Sequence, residues 1–362
     1  MTEVQTDVTA AELDELVKTV SAAERAEVLH VVESAKDTIF TWDYGQSRVP
    51  LIKLYEKAKT GQWNASTDVD WSIEVDVERQ AATGPNIWML QDLTGTPLEN
   101  FNEADHLKLS ITAQNWLLSQ FMHGEQGALI CTSQIVETVP WIDAKYYAAT
   151  QVMDEARHVE VFARYLQEKL GGIMPVNLHL RALLDGIVSD SRWDMTYLGM
   201  QIMVEGLALA AFGFIRQTTE EPLLKDILKY VMADEARHVA FGVLSLKEVY
   251  TDMTAAELRE RQEFAYEAAM LMRNRFSMQE VWEHLDLPVR EMCEMVLANP
   301  MQAEFRKMLF SKIVPNLKKL GLLTGWLRDR FAELGVLQFE DWADTGEEYE
   351  VMQFDTPATA AS

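Results

Sequence analysis

The pentapeptide Asp-Glu-Ala-Arg-His occurs twice in this chain, at residues 154–158 and again at residues 234–238. A lone glutamate precedes the glutamate of each copy by 30 residues, so that Glu125 lies before Glu155 and Glu205 before Glu235. The pattern Glu…Glu-x-x-His is therefore repeated with an offset of 80 residues. A repeat of this kind predicts that two related halves bring the same side chains to one place.

The composition favours helices and predicts an all-α fold. Ala, Leu, Glu, Met and Lys are abundant, whereas the 362 residues include only 17 glycines and 10 prolines, and no long β-type alternation is present. We expect the four motif helices to begin near Asn102 and end before Pro140, to cover 142–170, to lie within 178–217 with an interruption at 189–191, and to cover 222–250. Together they predict a four-helix bundle.

The rest of the chain is expected to add to that bundle. Residues 1–100 are predicted to form N-terminal helices, including one over 10–39 and a short one over 50–59, followed by an extended arm over 61–78. Residues 101–250 would be the core, residues 251–345 further helices of the same domain, and residues 346–362 a disordered polar tail.

Each motif glutamate lies on an apolar stripe at helical spacing. Glu125 follows Leu118 and Phe121, and Glu205 follows Leu198 and Ile202, in steps of three or four residues. Burying four carboxylates without cations would be costly. Two divalent cations would compensate for them, because two lone Glu residues plus two Glu-x-x-His pairs are the ligand set of a dimetal site in a helical bundle. The predicted ligands are Glu125, Glu155, His158, Glu205, Glu235 and His238.

The residues that flank the histidines fit this interpretation. A metal-bound imidazole usually donates its other N–H to a carboxylate, and Asp154 and Asp234 are available for this, crosswise, so that each supports the histidine of the other copy. Arg157 and Arg237 would pair with the two aspartates. Oxygen and nitrogen ligands without sulfur favour iron or manganese over a structural zinc.

A third Glu-x-x-His, formed by Glu103 and His106, has no duplicate and lies at a predicted helix start, where we expect a solvated first turn.

The net charge of −25, from 57 acidic and 32 basic residues, argues against nucleic acid or an anionic membrane as a partner. The two cysteines predict no disulfide framework, and the acidic N-terminus predicts no secretion signal. We therefore expect a cytoplasmic protein.

The motifs resemble those of the ferritin-like diiron carboxylate superfamily. The Asp-Glu-x-Arg-His form is similar to bacterial multicomponent monooxygenase hydroxylases, and the arm from Leu54 through Trp63 to Trp71 is similar to part of the ribonucleotide reductase small subunit. The resemblance implies a ferritin-like bundle, two iron ions (Fe/Fe, or alternatively Mn/Fe), and electron delivery through Trp63, Asp234 and His158.

Three positions depart from members of this superfamily. Phe162 stands where the reductase subunit has its radical tyrosine, and Leu209 stands where the hydroxylases have an active-site threonine. Val231 stands where the arylamine N-oxygenases have a third histidine. The resemblance therefore implies the cofactor and leaves the activity open.

Three functions remain. The favoured one is an enzyme that activates O2 to hydroxylate or N-oxygenate a small, mostly apolar or aromatic substrate, with a reductase or ferredoxin as electron donor and a homodimeric assembly. The alternatives are a radical-generating protein like the reductase subunit and a ferritin-like iron store or peroxidase. Small side chains after Glu205 leave room for a substrate, or serve close helix packing. The predicted pocket comprises Ala128, Leu129, Thr132, Phe162, Ala208, Leu209 and Phe212.

Overall fold

The computed structural model describes residues 9–19, 21, 28–83 and 93–345. Within these ranges the structure is helical and contains no strand, which confirms the all-α, ferritin-like fold class. The predicted tail at 346–362 lies outside the described residues. The helices are α1 (Ala10–Leu16), α2 (Val49–Thr60), α3 (Val77–Thr83), α4 (Glu103–Thr138), α5 (Ile142–Lys169), α6 (Leu178–Ser189), α7 (Trp193–Tyr197), a π-helix (Leu198–Val204), α8 (Glu205–Thr218), α9 (Pro222–Thr251), α10 (Ala255–Arg275), α11 (Gln279–His284), α12 (Val289–Ala298), α13 (Pro300–Met308), α14 (Ile313–Lys319) and α15 (Gly325–Glu333).

The four motif helices start and stop close to their predicted positions. Asn102 caps α4, because its side chain accepts from the backbone N–H groups of Ala104 and Asp105. Pro222 occupies the first turn of α9, where its missing N–H is not needed. The predicted interruption of the third helix is present between α6 and α7. The bundle that carries the repeated motif is therefore formed by α4, α5, the π-helix with α8, and α9.

The N-terminal helix is much shorter than the prediction of 10–39. It ends at Leu16, and residues 28–48 have no helical structure. Leu13 and Leu16 are buried, whereas Val28, Leu29 and Val31 are between 82% and 95% exposed. Helical periodicity without a surface that covers its apolar face does not sustain a helix, because most helical stability comes from packing. The prediction over 10–39 was wrong for this reason.

Two apolar clusters stabilise the molecule. The larger one fills the bundle and continues to α14 and α15. The smaller one joins α1, the first turns of α4, α11 and α12 around Trp116 and Trp282. The helical stretch Trp193–Thr218 is long and apolar enough to cross a membrane, but 83% of its most apolar window is buried inside the structure, as is common for a core helix.

The third motif helix of the bundle departs from α-helical geometry immediately before its motif glutamate. Seven residues, Leu198–Val204, form a π-helix that ends immediately before Glu205. Close packing accompanies it, because a Cβ added to Gly242 of α9 would lie 2.6 Å from Cβ of Gln201. The π-helical turn and α9 therefore approach each other beside the motif residues, and π-helical turns are frequent at functional sites.

Candidate metal centre

The six predicted ligands converge in the interior of the bundle. All six are at most 5% exposed. Their donor atoms form two groups in which the atoms lie within 4.8 Å of one another. The first donor group is Glu125, Glu155, His158 and Glu235, and the second donor group is Glu155, Glu205 and His238. Glu155 belongs to both, so the two groups are adjacent.

The histidines direct one ring nitrogen each into the carboxylates. Nδ1 of His158 lies 3.0 Å from Oε1 of Glu235 and 3.2 Å from Oε2 of Glu125. Nδ1 of His238 lies 3.1 Å from Oε1 of Glu155. The two rings are 5.8 Å apart between centroids. Each helix turn of Glu-x-x-His thus presents an imidazole nitrogen and a carboxylate at one point.

The other nitrogen of each ring contacts an aspartate of the opposite copy. Nε2 of His158 lies 3.2 Å from Oδ2 of Asp234, and Nε2 of His238 lies 3.2 Å from Oδ2 of Asp154. The crosswise pairing predicted from the sequence is present. Arg157 forms an ion pair with Asp154 one turn before it on α5, and Arg237 forms the equivalent ion pair with Asp234 on α9. Each ring is therefore held with Nε2 facing the aspartate and Nδ1 facing the glutamates.

The donor atoms satisfy the requirements of a cation site. Among the described residues, Oε2 of Glu155, Oε2 of Glu205, both carboxylate oxygens of Glu235 and Nδ1 of His238 are buried but make no contact with hydrogen-bond geometry, even where another donor atom of the cluster is close. Buried polar atoms without partners are rare in proteins, and each such atom calls for an explanation. Two bound cations with oxygen and nitrogen ligands would explain these unpartnered atoms, so the residues present fit a dimetal cofactor.

The electrostatics of the cluster point the same way. Burial, together with repulsion from Glu235, raises the pKa of Glu125 to about 8. Burial and the nearby Glu155 raise the pKa of Glu205 well above its ordinary value. The two histidines act in the opposite direction on Glu155: burial is the largest single effect and would raise its pKa, but the charges and hydrogen bonds of His238 and His158 together outweigh burial and lower the pKa. The carboxylates are crowded beyond what the two imidazoles compensate.

Two glutamines belong to the site although we did not predict them. Nε2 of Gln151 donates to Oε1 of Glu155 at 3.0 Å and to Oε1 of Glu205 at 2.9 Å. Gln62, on the arm, donates to Oδ1 of Asp154 at 3.1 Å. Gln151 precedes Glu155 by one turn on the same face, so spacing could have revealed it. Gln62 carries no such signal, because only the tertiary fold brings the arm to Asp154.

The arm also brings an indole to the second aspartate. Nε1 of Trp63 donates to Oδ2 of Asp234 at 2.7 Å. The Trp63 ring is 7% exposed and stacks on Tyr230 with centroids 5.0 Å apart. Trp63, Asp234 and His158 thus form a continuous polar connection between the arm and the first donor group.

Three other residues near the motifs, His106, His123 and Gly206, make packing or hydrogen-bond contacts of their own. Neither donor group within the described residues includes His106, whose ring packs against Phe101 at 5.6 Å. His123 lies 2.9 Å from the backbone oxygen of Met174, which is a structural contact. Gly206, one of the small residues after Glu205, packs against α14, since an added Cβ would meet Ile313 at 3.2 Å. At this residue, close helix packing explains the small side chain.

A cavity of about 630 Å³ lies at one end of the bundle, and none of the seven predicted pocket residues lines it. Phe162 and Phe212 are fully buried and stack on each other with centroids 5.6 Å apart. The role of those seven residues as a substrate wall stays a prediction.

The family model of p-aminobenzoate N-oxygenase AurF matches residues 46–321, well over half of the chain. A search of curated proteins found no match to this chain. Among solved structures, a variant of an R2-like ligand-binding oxidase with an anaerobically reconstituted Mn/Fe cofactor has 21% identity and a TM-score of 0.48, over 75% of this chain and 93% of that chain. An R2-like ligand-binding oxidase with an aerobically reconstituted metal cofactor after photoconversion has 19% identity and a TM-score of 0.41, over 80% and 92% of the two chains.

The predicted membership of the ferritin-like diiron superfamily is confirmed by the family match, as is the prediction of an oxidoreductase with a dimetal cofactor. The match includes the arm, the four motif helices, and the helices up to α14. The chain belongs to the AurF p-aminobenzoate N-oxygenase family.

Proposed function

We propose that Glu125, Glu155, His158, Glu205, Glu235 and His238 hold two metal ions, one in each donor group. The observation that carries this assignment is the convergence of six side chains in two buried groups that share Glu155. A shared carboxylate can bridge two cations, and its second oxygen has no other partner. Two iron ions are the proposed occupants, with manganese in one position as the alternative.

Two bound ferrous ions would supply the electrons that activate O2 for oxygenation of a substrate. The protein positions and shields this centre. Asp154 and Asp234 keep Nε2 of each histidine engaged, so that Nδ1 stays directed at the metals. Gln151 restrains Glu155 and Glu205 through its amide nitrogen. Complete burial of these residues excludes bulk water from the centre.

The proposed reaction is oxygenation of a small, mostly apolar or aromatic molecule. N-oxygenation of an amine is favoured, because p-aminobenzoate N-oxygenase gives the family its name. Hydroxylation of a C–H bond is the second candidate, since Val231 offers no third histidine beside Glu235. We propose a reductase or a ferredoxin as the electron donor, delivering electrons by way of Trp63. A homodimer in the cytoplasm is the proposed setting.

The assignment is tested by metal analysis of purified protein. His158→Ala and His238→Ala should each lower the metal content sharply from two ions per chain. His106→Ala is the matched control, because it removes the histidine of a Glu-x-x-His that lies outside both donor groups, and its metal content should stay at two. Unchanged stoichiometry in both of the first two variants would disprove the ligand assignment.

The activity is tested separately by incubating the reduced, metal-loaded protein with O2 and a panel of arylamines. Mass spectrometry should detect a product that has gained an oxygen atom from 18O2. Release of peroxide alone with every amine tested, or the deposition of hundreds of iron ions per chain, would instead support a peroxidase or an iron store.

A further inference from the structure

The cavity of about 630 Å³ lies between α3, α4, the end of α8 and α13. Its walls are largely apolar and include Leu118, Phe214, Phe276 and Phe305. Pockets for small organic ligands are typically about 300–1,000 Å³ and mostly apolar, with a few polar groups that fix orientation. The volume is therefore adequate for a molecule larger than a single aromatic ring.

On α4, the cavity lies on the same helix face as the predicted ligand Glu125. Leu118 in its wall, then Phe121, then Glu125 follow one another along one face of α4, and seven residues of helix span about 10 Å. The rings of Phe121 and Phe212 are 4.7 Å apart, and Phe212 stacks on Phe162, one turn after His158. The three rings form a phenyl layer, in which Phe121 lies along α4 between the cavity-lining Leu118 and Glu125, and Phe212 lies along α8 between Glu205 and the cavity-lining Phe214. A ligand that extends from the cavity toward the donor groups would have to displace part of this layer.

The cavity wall contains polar atoms that have no hydrogen-bond partner among the described residues. Nε2 of Gln80, whose side chain is 6% exposed, has no hydrogen-bond partner, while its Oε1 is 3.5 Å from the hydroxyl of Tyr165. On α4, Oγ of Ser110 and Oε1 of Gln114 lack partners as well, and the two residues lie one turn apart. The wall therefore offers an N–H donor and a carbonyl acceptor to a bound molecule.

The described residues that line the cavity contribute no cation, and the buried guanidinium of Arg275 lies behind the wall, 4.9 Å from the ring centroid of Phe276. Among the described residues that line the cavity there is no lysine, arginine or histidine, and the one charged side chain, Glu304, is exposed and accepts from Lys307 at 2.8 Å. A carboxylate buried here would lack the positive partner that makes such burial tolerable. An uncharged amide, by contrast, would satisfy both a free donor and a free acceptor.

Building on the function proposed above, we propose that this cavity binds the uncharged end of an extended substrate, with a carboxamide or a similar neutral group at Gln80 and Gln114. The oxidisable amine or C–H end then points past the phenyl layer toward the metals. The substrate class is a neutral, predominantly apolar molecule of about two rings. The residues that line this cavity offer no cation to pair with a carboxylate such as that of p-aminobenzoate, the molecule in the family's name.

A matched pair of probes tests this inference in the metal-loaded protein kept free of O2. The probes are 4′-aminobiphenyl-4-carboxamide and 4′-aminobiphenyl-4-carboxylate, which have the same shape and differ in charge. Calorimetry should show that the carboxamide binds at least about tenfold more tightly, because the carboxylate loses its hydration without gaining a cation. Equal affinities, a preference for the carboxylate, or no binding of either probe would overturn the inference.

Two variants locate the binding. Gln114→Arg places a cation in the wall and should reverse or remove the preference, whereas Gln134→Arg, on the same helix and outside the cavity wall, should leave it unchanged. Ala113→Phe fills the cavity and should abolish carboxamide binding. Carboxamide binding that survives in Ala113→Phe would show that the ligand lies elsewhere.

A failure of this inference can be distinguished from a failure of the proposed function. Metal content is measured on the same samples and should remain at two ions per chain in all three variants. If the metals are bound but the charge preference is absent, only the substrate class is wrong. If the native chain does not bind two metals, the function fails whatever the probes show.

Discussion

The indole N–H of Trp63 donates a 2.7 Å hydrogen bond to Oδ2 of Asp234, and the same oxygen lies 3.2 Å from Nε2 of His158. One carboxylate oxygen thus joins the arm to a proposed metal ligand. Tyr230 stacks on the outer side of the indole, and Arg157 lies 5.2 Å above it. The arrangement connects the partly exposed Tyr230 with the buried centre through three consecutive side chains.

Replacing Trp63 by Phe should slow reduction of the metal centre by an external donor roughly 10–100-fold, the scale on which partners of metal ligands act. The ring remains, but the N–H that contacts Asp234 is lost. Stopped-flow spectroscopy of the oxidised protein mixed with a reduced ferredoxin measures the rate. Trp71→Phe is the control, because the Trp71 indole donates to the backbone oxygen of Ala65 and has no link to the centre. Equal rates in the native chain and Trp63→Phe would exclude this route.

Asp154→Asn and Asp234→Asn should each weaken metal binding by roughly 10–100-fold without abolishing it. Asparagine keeps the size of the side chain and removes the charge that fixes the imidazole. Titration of metal-free protein with Fe²⁺ under anaerobic conditions provides the dissociation constants. Asp226→Asn, at a partly exposed position of α9, should behave as the native chain does. Native affinity in both buried variants would refute the supporting role of the aspartates.

Gln151→Leu should loosen the second donor group while leaving the first one filled. The amide contacts with Glu155 and Glu205 disappear, and leucine keeps a similar volume. Affinity for the weaker of the two metal ions should drop roughly tenfold or more, as measured by competition with a chelator. Gln126→Leu, at an exposed position of α4, is the matched control. The prediction is contradicted if both ions are removed at the native rate in Gln151→Leu.

Val231→His should add a donor beside the ion of the first donor group, which contains Glu235. Val231 is fully buried one turn before Glu235, where the arylamine N-oxygenases have a third histidine. Removal of that ion by a chelator should become roughly tenfold slower, whereas Val231→Leu should not slow it. An unchanged rate with intact folding would show that this position does not face the centre.

No stable tyrosyl radical should form beside the metals when the reduced protein meets air. Phe162, one turn after His158, has no oxidisable hydroxyl. Tyr165 is the next candidate along α5, but its hydroxyl contacts Glu221 at 3.0 Å, and burial raises its pKa. Electron paramagnetic resonance should show no persistent tyrosyl signal, with or without Tyr165→Phe. A stoichiometric signal that lasts for minutes and disappears in Tyr165→Phe would favour the radical-generating alternative.

The donor groups and the bundle could be predicted because they depend on spacing along helices. Glu155 and His158 share a face by helical geometry alone, and the repeat identifies their partners. The contact between Gln62 and Asp154 depends on how the arm folds back, which no local pattern encodes. The end of α1 at Leu16 and the position of the cavity depend likewise on packing between segments distant in sequence. Sequence therefore indicated the chemistry of the centre better than its surroundings.

Glu125 and Glu205 occupy equivalent places in the repeat, but their backbones differ. Glu125 lies inside the uninterrupted 36-residue helix α4, whereas Glu205 directly follows the π-helix Leu198–Val204. A π-helical turn contains an extra residue, so removing one residue from it would restore α-helical register and turn the preceding segment by about 100° relative to Glu205. The duplication is thus symmetric in ligand chemistry and asymmetric in backbone register, with one carboxylate inside a regular α-helix and its counterpart at the end of a π-helical segment.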